Sequence, residues 1–291
     1  LVIADDFGIG PNTSSAILEL AQRKVVTGSV LLVNSPYAVE DVQKWRQAGR
    51  PMEMGWHPNL TLDMPILPGR RVPSLTRPNG TFWPLGIFLR RLFLGRINAD
   101  EVAAELRAQL QRFFELVGQP PTHVNSHQHV SIFAPVRRCL LNLLLEQRLL
   151  PYVRRVQEPW SMLWKVRGAR KKRAFLGYFG KITGRELAEH HVPGNDTFAG
   201  ITDPPWVRRP DFFENWLRVV PGQTVELMCH PGHADATLLG RDCHPGDGLL
   251  ERRVDEFALL SRPEFSEAVN EAGFQSIAPG QLQREAVRHA A

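Results

Sequence analysis

Four short strand-like stretches in this chain each end in an ionisable side chain, and that recurrence constrains the fold more than any other feature. Leu1-Val2-Ile3-Ala4 runs into Asp5-Asp6, and Met52 to Trp56 runs into His57. Thr122 to Ser126, after the Pro120-Pro121 break, leads to His127, and Thr224 to Cys229 leads to His230. Gly8, Gly10 and Pro11 stop the first stretch, as Pro231 and Gly232 stop the last. Short runs punctuated in this way read as strands. Helical spacing fills the intervals: Ser14 to Lys24, Ala38 to Gln47, Ala99 to Val117 (started by Asn98 or Asp100) and Phe133 to Leu149. Further strands are expected over Ser29 to Val33 and Tyr152 to Val156. Strands alternating with helices predict an α/β fold built on a mostly parallel sheet with crossover helices. Such sheets gather their functional groups at the carboxyl edge.

Adjacent carboxylates repel, so Asp5-Asp6 is costly unless a cation lies between them or one stays protonated. The same pair can also serve as a turn that caps the next helix, although Asn12, Thr13 and Ser14 offer better local caps. A lone histidine is commonly structural, but His57, His127 and His129 would all emerge at strand ends. One carboxylate and two imidazoles make a usual three-ligand catalytic metal set with positions open for water and substrate. The other aspartate is then free to take a proton from water. The Cys229-His230-Pro231-Gly232 turn is punctuation by itself. It gains weight as one more strand end carrying an ionisable group, with Asp235 near enough in sequence to orient an imidazole.

Ile3-Ala4-Asp5-Asp6-Phe7-Gly8, Gly55-Trp56-His57, Thr122 to His129 and Met228-Cys229-His230-Pro231 together resemble the YdjC-type carbohydrate deacetylases, a family that includes chitooligosaccharide and hopanoid-biosynthesis deacetylases. The resemblance implies a distorted (β/α) barrel related to NodB-like deacetylases, with long inserted loops. It implies one divalent metal ion, magnesium or zinc, held by Asp6, His57 and His127. Asp5 would be the base that activates a metal-bound water, and His230, protonated and oriented by Asp235, the acid that serves the leaving amine. The substrate would be an N-acetylated amino sugar, in an oligosaccharide or a lipid-linked glycan. Arg154 and Glu158 match an Arg-to-Glu-Pro stretch of some relatives, so substrate contact is expected of them and of His129. The chain departs from relatives at Asn125, often Asp, at Ser131, commonly a third His, and at Pro58.

At 291 residues, 43% of them hydrophobic, length alone allows one large α/β domain or two smaller ones, and the resemblance, whose motifs span nearly the whole chain, implies one domain over 1–291 with insertions at about 62–98 and 158–192. No run approaches the ~18 apolar residues of a membrane span. Three unpatterned cysteines suit a reducing, cytoplasmic compartment. The chain opens inside a strand without methionine, so a few residues are expected ahead of it. In the first insertion, Phe82 and Trp83 can stack on a sugar ring or simply pack the loop. Leu85 to Leu94, with Arg90, Arg91 and Arg96, suits an interfacial helix. In the second, Lys165 to Arg173 interleaved with Trp160, Trp164, Phe175, Tyr178 and Phe179 suits a solvated basic face or an anionic membrane surface. The net charge of +5 is local to that cluster, so nucleic acid is not an expected partner, whereas peripheral membrane contact and a homodimer both fit. Two rival functions use the same residues: a metal-dependent phosphoesterase or amidohydrolase, and a non-catalytic carbohydrate or membrane-surface binder.

Overall fold

The structure is a computed structural model that describes residues 1–290. Among the described residues, seven strands form one all-parallel sheet: β1 (Val2–Phe7), β2 (Gly28–Leu31), β3 (Glu53–Trp56), β4 (His123–Val124), β5 (Tyr152–Val153), β6 (Thr197–Ala199) and β7 (Val225–Cys229). Their spatial order is β5-β4-β3-β2-β1-β7-β6. The connecting helices are α1 (Pro11–Gln22), α2 (Ala38–Gln47), α3 (Leu85–Phe93), α4 (Ala99–Val117), α5 (Ala134–Glu146), α6 (Met162–Lys165) and α7 (Arg170–Glu189). They continue with α8 (Pro204–Val207), α9 (Phe212–Leu217), α10 (Leu249–Leu260), α11 (Pro263–Glu271) and α12 (Pro279–Ala290). None of them is long and apolar enough to cross a membrane.

The sheet is curled into a distorted (β/α) barrel. Neighbouring strands lie about 4.8 Å apart, so a flat sheet would hold β5 and β7, five positions apart, roughly 24 Å from each other. Instead the Tyr152 hydroxyl on β5 donates to Glu226 on β7 at 2.6 Å, across the interior. The seam between β5 and β6 lacks a strand ladder; connecting segments close it, through Val153 N–H to the Pro193 carbonyl and Phe198 N–H to the Gln157 carbonyl, both at 2.8 Å.

β1 is buried on both faces along its whole length, as a central parallel strand must be. It runs past the apolar stretch to Phe7 because its register slips between Ala4 and Phe7. Asp6 takes a positive φ of 69° in that bulge, which re-aims the side chains there at a cost of about 1 kcal/mol. α1 starts earlier than its spacing suggests, with Pro11 in its first turn. Its cap comes from a distant segment: Asp235 accepts the Asn12 N–H at 2.9 Å and the Thr13 N–H at 3.4 Å. α2 and α4 have the expected bounds, and the Asn98 side chain caps α4 by accepting from Asp100 N–H.

The segment 62–98 is fastened to α4. Glu105 accepts the N–H groups of Ile66 and Leu67, and Glu101 accepts that of Ser74. Val72, Leu75, Phe82 and Phe88 are buried beneath it. Phe82 therefore belongs to the core. Trp83 packs against that core, with its indole N–H on the Ser74 carbonyl and Arg91 over its ring. Of the two alternatives for these rings, sugar stacking or loop packing, their contacts are those of packing, which holds the loop down.

Candidate active site

The carboxyl ends of β1, β3, β4 and β7 converge on one cavity of about 220 Å³. Asp6, His57 and His127 each present one ligand atom to it, all within 4.8 Å of one another and buried. Both imidazoles face the same carboxylate oxygen: His127 Nδ1 is 2.9 Å and His57 Nε2 3.3 Å from Asp6 Oδ1. The other His57 nitrogen, Nδ1, lies 2.8 Å from the Asn125 carbonyl. A carbonyl only accepts, so Nδ1 carries a proton, and in the neutral tautomer Nε2 is then the lone pair. That lone pair faces an anionic oxygen, an arrangement that repels unless a cation or proton sits between them. His127 Nε2 is also buried with no hydrogen-bond partner. Two nitrogens and one carboxylate, with one imidazole fixed by a backbone carbonyl, make a donor set that fits a divalent metal.

Asp6 is held by more than histidines. Arg253 on α10 donates to Asp6 Oδ2 at 2.7 Å and to Asp242 at 2.8 Å. Burial would raise the Asp6 carboxyl, but Arg253 and His127 outweigh it and keep it well below the usual carboxylate range. Burial likewise works against a charged His127, and the Asp6 carboxylate reverses that to raise its pKa.

Asp5 is gripped from the opposite side. Arg154, just past β5, donates to both carboxylate oxygens at 2.6 and 2.7 Å, while Asn125 Nδ2 donates to Oδ1 at 3.2 Å. The Arg154 Nε–H donates to Glu226 on β7, and the guanidinium lies over the Phe198 ring. A planar bidentate fork fixes a carboxylate's orientation as well as its charge. Arg154 is completely enclosed by these partners, so it holds Asp5 rather than the cavity.

His230 Nε2 lies 4.0 Å from Asp5. Its backbone N–H is bound by Glu256, and Arg252 Nη2 is 3.3 Å from Nδ1. Burial and then the Arg252 charge hold its pKa well below the ordinary imidazole value, which favours the neutral ring. Asp235 does not orient it. Both Asp235 oxygens are taken up at the start of α1 and by Thr237, so its spacing from His230 carries no contact. Glu158 is also elsewhere, paired with Arg173 on α7. His129 does line the cavity, at φ 59° and edge-on to Phe198. Ser131 pairs with Ser126 and braces the turn that carries His127.

Arg253, Arg252, Glu256 and Asp242 escape sequence reasoning, because an arginine pair in an amphipathic helix normally reads as solvated surface. Glu226 did carry a signal: an acid inside an apolar strand must find a partner when buried. On the outer side, Leu85, Leu89, Leu176 and Ile201 give the cavity an apolar mouth.

Comparisons with known proteins agree with this architecture. The family model described as YdjC-like protein matches residues 1–271. A carbohydrate deacetylase of Geobacillus stearothermophilus is 30% identical over 95% of each chain. A chitooligosaccharide deacetylase of Serratia marcescens is 29% identical, over 94% of this chain and 95% of its own. Among solved structures, a protein of Enterococcus faecalis V583 described as a candidate for cellobiose-phosphate cleavage superposes with a TM-score of 0.76, at 26% identity over 97% of both chains.

Proposed function

Because this chain belongs to the YdjC-like protein family, we propose that it is a metal-dependent hydrolase that removes the N-acetyl group from an amino-sugar-containing carbohydrate. The observation that carries this is the Asp6–His57–His127 triangle sharing one cavity with Asp5 and His230. The names of the Geobacillus and Serratia relatives support deacetylation as the reaction class.

Asp6, His57 and His127 would hold a divalent cation, magnesium or zinc, which supplies Lewis acidity to the water and to the acetamide carbonyl. Asp5 takes a proton from the attacking water. Arg154 and Asn125 keep its carboxylate turned to the cavity, so no reorientation is needed when the proton moves. The departing nitrogen cannot leave as an amide anion and needs a proton, which His230 gives. Its neutral ring is favoured at rest, so its acid form has to be generated during turnover. Asp5, 4.0 Å away, is near enough to pass on the proton taken from water. A ring whose charged form is disfavoured by burial and Arg252 is a strong acid once charged, which suits a step that ends by giving the proton away. His129 contributes to the substrate side of the cavity.

The test is acetate release from free N-acetylglucosamine, chitooligosaccharides and lipid-linked forms, with and without chelator. Release that stops with chelator and returns with a divalent cation is the expected result. Metal-loaded protein inert on every N-acetyl sugar would overturn the proposal.

A further inference from the structure

We infer that the face formed by α7 and the end of α3 docks on an anionic lipid bilayer. Along α7, Phe175, Tyr178, Phe179 and Ile182 recur at helical spacing, and three of the four are exposed, with Phe179 half-buried. This is an apolar stripe pointing outward from a 20-residue helix whose opposite side, through Leu176, Thr183 and Leu187, is already buried. The end of α3 extends it: the Phe93 ring lies 6.2 Å from Phe179, and Phe93 and Leu94 are exposed. Trp160, just before α6, and Trp164, within it, are 57% and 75% exposed, an unusual display for the largest apolar side chains. Lys181 sits over the first ring and Arg170 over the second.

Charge selects the occupant. Residues 85–96 and 160–185 contain eleven Lys or Arg and no Asp or Glu. The rest of the chain holds the other 24 basic residues against all 30 acidic ones, so these two segments account for the whole positive balance. Lys171 and Arg185 prolong the α7 stripe by one turn at either end. The acid nearest the stripe in the helix, Glu186, is paired with Arg137. A second copy of this chain is a poor partner, because a two-fold contact sets the patch against itself and opposes like charge. An anionic bilayer accepts both components: aromatic rings at the headgroup boundary and cations against the lipid phosphates.

The face is continuous with the cavity mouth. Leu176 neighbours Phe175, Leu89 lies one turn before Phe93, and both leucines line the cavity. A docked molecule would open its site toward the headgroup layer. The docking itself does not depend on which reaction the site performs.

The experiment is co-sedimentation of the full chain with phosphatidylcholine vesicles, with and without a minority of phosphatidylglycerol. Two variants accompany it, Trp160→Ala/Trp164→Ala and Lys171→Glu/Lys181→Glu, their folding checked by circular dichroism. The wild type should bind only the anionic vesicles, less tightly as salt rises, and each variant should bind roughly tenfold more weakly or worse. Binding that is absent, indifferent to phosphatidylglycerol, or unchanged in both variants overturns the inference. So does a dimer that the tryptophan variant dissociates in protein that ignores vesicles.

Discussion

Asp5 and Asp6 are neighbours in sequence with opposite surroundings, one held by Arg154 and Asn125, the other by His57, His127 and Arg253. Different roles should therefore separate by substitution. Asp5→Asn is expected to lower acetate release by roughly 10²-fold or more with bound metal retained. His57→Ala and His127→Ala are expected to lose the metal itself; metal analysis of the purified variants distinguishes the two outcomes. Full activity in Asp5→Asn would remove it as the base. His123 is a buried residue of another kind. Burial pushes its pKa down from the ordinary 6.5 to about 3, with Arg154 adding to the effect. An unfolded chain takes up a proton below pH 6.5 that the folded ring refuses, so this group's contribution is intact above that pH and is lost as pH falls toward 3. At about 1.4 kcal/mol per pH unit, the cost reaches a few kcal/mol. His123→Leu should flatten the acid side of a Tm-versus-pH curve, and an unchanged slope would refute this. At this scale the aspartates, His57, His127 and His230 were legible because strand ends announce themselves in sequence. Asp235 misled, because closeness in sequence says little about a loop that turns away to cap α1.

Elements were readable where local chemistry sets their ends. α4 has Asn98 at its start and Gly118, at φ 80°, at its end, and both bounds follow from those residues. β1 and α1 were not, since a bulge and a cap donated from 220 residues away leave no local trace. α7 offers a direct test of packing against propensity. A Cβ on Gly180 would fall 1.6 Å from the Val156 carbonyl oxygen, whereas one on Gly177 meets nothing. Gly180→Ala should therefore destabilise the protein by about 2 kcal/mol or more through backbone displacement. Gly177→Ala should stabilise it by about 0.5–1 kcal/mol through helix propensity alone. Urea unfolding of the two variants reads both signs; equal effects would mean that α7 does not sit so tightly on the segment after β5.

The barrel as a whole is cross-braced through its interior by Glu226, which receives the Tyr152 hydroxyl and the Arg154 guanidinium. Glu226→Ala would break a buried ion pair, leaving the Arg154 Nε–H without its carboxylate and the Tyr152 hydroxyl with Asn195 alone, so a loss of roughly 3–5 kcal/mol in unfolding free energy is expected. Activity should fall too, because Arg154 is then free to swing from Asp5. A variant with unaltered stability would mean that the brace carries no load. No periodicity could have disclosed this brace, which depends on the sheet curling far enough to bring its sixth strand onto its first. The strand order has one more consequence, for biosynthesis. β1, made before the other six strands of the sheet, lies between β2 and β7, and its β7 side has no partner until Val225–Cys229 is synthesised. While the segment between β1 and β7 is being made, the β1 edge beside Asp5 and Asp6 thus lacks its β7 partner. The three residues proposed to hold the metal are all made by residue 127, but His230 and Arg253 arrive only with the strand and helix that cover that edge. Sheet closure and completion of the proposed catalytic set therefore fall together, late in synthesis, and until then the half-built sheet keeps an unpaired strand edge of the kind that invites aggregation.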